Sequence, residues 1–76
     1  MRHSRHTSRY KKLQVALKLA RAAAGMTQAQ VGEQLGRPQS FVNKYESGER
    51  RLDVIEFLDV ARILGVNPRR FLRNLE

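Results

Sequence analysis

The stretch from Thr27 to Gly48, TQAQVGEQLGRPQSFVNKYESG, constrains the fold more than any other part of the chain. It reads as two short helices joined by a tight turn. Thr27 followed by Gln30 is a capping box: the hydroxyl accepts from a first-turn N–H and the amide reaches back. A helix is therefore expected from Gln28 to Leu35. Gly36 permits the positive φ that ends a helix, and Pro38 fits the first turn of the next, where its missing N–H is not needed. The second helix is expected from Pro38 to Ser47, ending at Gly48. Val31, Leu35, Val42 and Tyr45 fall at the helical spacing that locks the two together. Gln39, Ser40, Asn43 and Lys44, at i, i+1, i+4 and i+5, are left on one outward face.

A polar helix face is commonly no more than a solvated one. Two features give this face a sharper meaning. Side-chain amides pair bidentately with adenine in a major groove, and lysine pairs with guanine or phosphate. The face also sits on a short helix after a tight turn, in a 76-residue chain of net charge +8, which points to an anionic partner. The chain has no cysteine, which excludes disulfides, thiolate ligands and a thiolate nucleophile. No nucleophile–base set or cluster of metal ligands is visible, so neither an enzyme nor a cofactor is expected. No apolar run approaches the ~18 residues of a membrane helix. The start MRHSRHTSRYKK lacks the apolar segment of a secretory leader, so a cytoplasmic protein is expected.

With its flanks, from about Leu13 to Leu75, the stretch resembles the helix-turn-helix domain of the phage repressor and Cro (XRE-type) family. The resemblance is carried by Thr27-Gln28, Gln39-Ser40 and Tyr45-Glu46-Ser47-Gly48, then by Leu58, Ala61, Leu64, Gly65 and Val66. It implies a compact all-α, five-helix, lambda-repressor-like domain that binds double-stranded DNA. Gln28 would bind phosphate and brace Gln39, which would read a base. Ser40, Asn43 and Lys44 fall at further base-contact positions. Arg37 in the turn and Arg50 and Arg51 in the loop would hold the backbone, and Arg21 would pair with Glu46. Two departures stand out. Gly32 stands where a small residue, usually alanine, lets two helices approach, and glycine preserves the approach at a cost to the helix of ~1 kcal/mol. Pro38 replaces a common serine or threonine cap.

The remaining segments fit the same frame. Residues 1–9 are basic and aperiodic, and are read as a flexible arm: either a solubilising tail or a segment that tracks phosphates or a minor groove. His3 and His6 lack an obvious third ligand. A first helix is expected over 10–24, with Leu13, Leu17, Ala20 and Ala24 as its stripe, ending at Gly25. Met26 is read as core, and Phe41 as packing rather than a contact to a thymine methyl. Asp53 and Glu56 form a second capping box, opening a helix over 53–64. Val54, Phe57, Leu58, Ala61 and Leu64 are its expected core residues, and its carboxylates are expected to cap or be solvated. Asn67 and Pro68 open a last helix over 68–75, whose Phe71, Leu72 and Leu75 close the core or form a dimer contact.

The expected function is that of a sequence-specific, repressor-type transcriptional regulator. It would insert helix 38–47 into the major groove of a pseudo-palindromic operator as a homodimer, its two copies about 34 Å apart. The alternative is an antitoxin-like or adaptor domain whose main partner is another protein. No membrane partner is expected.

Overall fold

A computed structural model describes residues 8–76, and the expected basic arm lies largely outside them. Five helices follow in order: α1 (Ser8–Ala23), α2 (Gln28–Leu35), α3 (Gln39–Ser47), α4 (Val54–Leu64) and α5 (Pro68–Arg73). The first begins two residues earlier than the sequence reading placed it, so Arg9 lies in α1 and donates from Nε to the Leu75 carbonyl at 3.1 Å.

Local chemistry sets the ends of the helices. Thr27 Oγ1 accepts from the Gln30 N–H at 3.0 Å, and the Gln30 amide oxygen accepts from the Thr27 N–H at 2.8 Å. The same reciprocal pair opens α4, between Asp53 and Glu56, at 2.7 and 3.0 Å. Asn67 Oδ1 accepts from the Arg70 N–H at 3.1 Å and starts α5. Gly36 ends α2 at φ 72°, a left-handed conformation that glycine adopts without the steric penalty of a Cβ. Pro38 does not enter the first turn of α3. It is the N-cap, in extended conformation and with no side-chain capping bond, so the helix starts at Gln39.

The core gathers where the helices meet. Leu17 of α1, Val31 of α2 and Phe41, Val42 and Tyr45 of α3 are buried with Phe57, Val60, Ala61 and Leu64 of α4. Helix α2 packs chiefly on α3, with α4 against α2 and α1 against α3. Two expected core positions need correcting: Val54 and Leu58 are 72% and 43% exposed. The buried face of α4 is the stripe Phe57, Val60, Ala61 and Leu64, at i, i+3, i+4 and i+7. Val54 and Leu58, four residues apart, lie together off its edge, and Val60 takes a place the pattern had left out. Phe71 closes one end against Phe57, with ring centroids 6.0 Å apart. Helix α5 stops at Arg73, short of the expected Leu75, and none of its residues is fully buried.

Candidate nucleic-acid interface

Helix α3 has two chemically distinct faces. Phe41, Val42 and Tyr45 point into the core, while Gln39, Ser40, Asn43 and Lys44 are all exposed. Phe41 is thus packing, edge-on against Tyr45 at 5.5 Å. The outward set is presented by a helix whose opposite side is fixed.

That fixing runs through Glu46, whose side chain is only 3% exposed. Arg21 donates to its carboxylate from Nε at 2.7 Å and Nη2 at 3.1 Å, a fork-to-fork pair. Arg21 Nη1 also donates to the Met26 carbonyl at 2.9 Å, tying the end of α1 to the turn before α2. The hydrogen bond to Glu46 raises the Arg21 pKa, against the opposing effect of burial. Gln28 completes the shell: its Nε2 donates to Glu46 Oε1 at 3.0 Å. Its amide oxygen then stands 3.5 Å from both Gln39 Nε2 and Asn43 Nδ2. These last contacts are long and weak. They orient two of the outward amides without consuming them. The structure therefore brings Arg21, Glu46, Gln28, Gln39 and Asn43 into one network, and leaves Ser40 and Lys44 beside it on the surface.

The arginines are arranged differently. Arg37 and Arg50 both stack on Phe41, their guanidinium carbons 4.4 and 4.8 Å from the ring centroid. Both also reach Glu56. Arg50 does so through two bonds of 2.9 and 2.8 Å, Arg37 through one of 3.3 Å. Glu56 is therefore not simply a capping or solvated carboxylate. The Arg50 hydrogen bond, helped by the Asp53 N–H, pushes its pKa down to about 2. Arg51 lies 4.2 Å over the ring of Tyr10. Sequence reading missed the Glu56–arginine cluster, the Tyr10 stack and the Gln14 side chain, which donates to the Glu46 carbonyl at 3.4 Å. Each joins elements through contacts that no helical period encodes.

Among the described residues no group of three or more His, Cys, Asp or Glu side chains comes together to hold a metal, and no helix is long and apolar enough to cross a membrane.

No curated protein matches the chain. A helix-turn-helix family model, HTH_3, matches residues 17–71. Among solved structures, the XRE-family like protein from Pseudomonas syringae pv. tomato str. DC3000 is similar, with 53% identity and a TM-score of 0.88 over 92% of this chain and 85% of that one. The matched span contains the capping boxes, the turn and the two-faced helix described above, and the chain belongs to the XRE family of helix-turn-helix DNA-binding transcription regulators.

Proposed function

We propose that the protein is a sequence-specific, repressor-type regulator that acts in the cytoplasm by occupying a pseudo-palindromic operator as a homodimer. The observation that carries this reading is the outward face of α3. Four polar side chains capable of base recognition stand on a helix held through Gln28, Glu46 and Arg21. Inserted in a major groove, Gln39, Ser40, Asn43 and Lys44 face base edges. Gln28, Arg37 and Arg51 face the phosphates, which position the domain without carrying sequence information. Arg50, placed by sequence in that set, is engaged by Glu56 in the free protein.

A second reading, a domain whose main partner is another protein, draws on the exposed Val54, Ile55 and Leu58 of α4 and Leu72 of α5. These residues also suit a dimer contact. Selection of bound duplexes from a random pool at about 150 mM salt separates the readings, because this salt screens much of the non-specific attraction. An enriched two-fold site for the wild type, lost or relaxed in Gln39→Ala, is the expected result. Absence of enrichment, with binding that vanishes as salt rises, would favour the protein-partner reading.

A further inference from the structure

The cluster on the edge of α3 holds two arginines and one carboxylate, and it treats the arginines unequally. Arg50 gives Glu56 two short bonds, and its Nη1 also donates to the Arg51 carbonyl at 3.0 Å. A bidentate guanidinium–carboxylate pair is the strongest form of this interaction, and here it also lies over an aromatic ring. Arg37 has a single 3.3 Å contact to the same carboxylate and keeps most of its donors uncommitted. Glu56 is itself anchored: its Oε1 accepts from the Asp53 N–H at 3.0 Å, which fixes it to the start of α4. It cannot follow an arginine out to a bound strand without breaking that cap. With two positive charges and one negative, the cluster presents a single net charge.

We propose that Glu56 withholds Arg50 from DNA phosphate and so leaves Arg37 as the phosphate ligand on this edge. The inference rests on the DNA-binding reading above. Glu56 is a positioning residue in this scheme: it limits sequence-independent attraction, so that more of the affinity must come from the outward face of α3. A glutamate is ionised throughout the neutral range, so the restraint holds there.

Counterion release supplies a readout that a merely structural role for Glu56 leaves unmoved. The logarithm of affinity falls with the logarithm of salt concentration by ~0.9 for each phosphate neutralised. Binding of the full chain to a 20-base-pair duplex of random sequence, followed by fluorescence anisotropy, gives this slope. Glu56→Gln keeps an acceptor for the Asp53 cap and frees Arg50. Its slope is expected to steepen by ~0.9, an additional loss of about 3.5-fold in affinity between 50 and 200 mM salt. In Arg50→Gln the unpaired Glu56 captures Arg37, and the slope becomes shallower by the same amount. The double variant Arg50→Gln with Glu56→Gln returns to the wild-type slope. Glu33→Gln, on exposed α2 surface, makes the same charge change and leaves the slope unaltered.

An unchanged slope in Glu56→Gln would overturn the proposal. So would a double variant as shallow as Arg50→Gln alone, since Arg50 would then contact phosphate directly, or an equal steepening in Glu33→Gln. A wild type with no duplex binding at 50 mM salt would instead bring down the DNA-binding reading, and this proposal with it. Circular dichroism establishes that each variant is folded. Should Glu56→Gln not fold, Arg37→Gln is compared with Arg37→Gln plus Arg50→Gln. Equal slopes are expected, and a further loss of ~0.9 would overturn the proposal.

Discussion

Gly32 is the position where one missing atom decides how α3 is placed. A Cβ there would stand 2.8 Å from the Arg37 carbonyl oxygen and 3.3 Å from the Pro38 backbone. The Gly32 carbonyl accepts from the Arg37 N–H at 2.9 Å, so the turn lies directly against α2. Helix propensity alone makes Gly→Ala favourable by ~1 kcal/mol. Here the obstructing atoms are main chain and cannot rotate aside. Gly32→Ala is expected to reverse the sign and destabilise the fold by about 1–3 kcal/mol, as overpacking does. Urea unfolding measures it, and a gain in stability would show that the turn yields. In the sequence Gly32 was legible as a residue at a helix–helix approach, but not as one pressed against the main chain of the turn. The close approach that makes it useful depends on a backbone five residues away.

At the scale of elements, the two capping boxes were the most legible feature, because such caps are local codes. Thr27 with Gln30 and Asp53 with Glu56 form both halves of their boxes. Thr27→Ala and Asp53→Ala are each expected to cost about 1 kcal/mol. In a domain of this size that lowers Tm by roughly 4–8 °C. Asn67→Ala should cost less, because α5 has six residues and buries none of them fully. Calorimetry of the three variants tests the order, and an equal loss at Asn67 would mean that α5 contributes more to the core than its exposure indicates. The outward face of α3 was legible for the same reason: i, i+1, i+4 and i+5 spacing is a property of one helix. The buried face of α4 was legible only in part. Val54 and Leu58 are apolar and helically spaced, yet they are exposed, because which side of α4 is covered depends on the packing of other helices and not on its own period. The Arg50–Glu56 pair was not legible at all, since it links a loop to a helix across six residues with no period to announce it.

For the molecule as a whole, two groups, Glu56 and Tyr45, bound the pH range over which the fold keeps its full stability. Glu56 has its folded pKa depressed to about 2, chiefly by Arg50. An unfolded glutamate titrates near ~4.3, so its contribution is complete above that value and is lost as pH falls from there toward 2. Tyr45 acts at the other end. It is 1% exposed, its hydroxyl finds no hydrogen-bond partner among the described residues, and burial raises its pKa above the ordinary tyrosine value. An unfolded tyrosine ionises near ~10, so the folded state loses ground as pH rises beyond that point. Denaturant unfolding across pH should therefore show a plateau with an acid limb and an alkaline limb. Glu56→Gln should lower the plateau and flatten the acid limb, because the pair is already absent at neutral pH. Tyr45→Phe should flatten the alkaline limb and leave the plateau level or slightly raised, since it removes a buried hydroxyl that no protein group satisfies. If Tyr45→Phe instead lowers the plateau by more than about 1 kcal/mol, the hydroxyl is satisfied in solution and the alkaline limb belongs to another group. The two limbs are separable because the groups occupy different places. Glu56 joins the loop arginines to α4, whereas Tyr45 fills the core beneath the outward face of α3. Acid therefore loosens the tie between the loop arginines and α4, and alkali loosens the core beneath the outward face of α3.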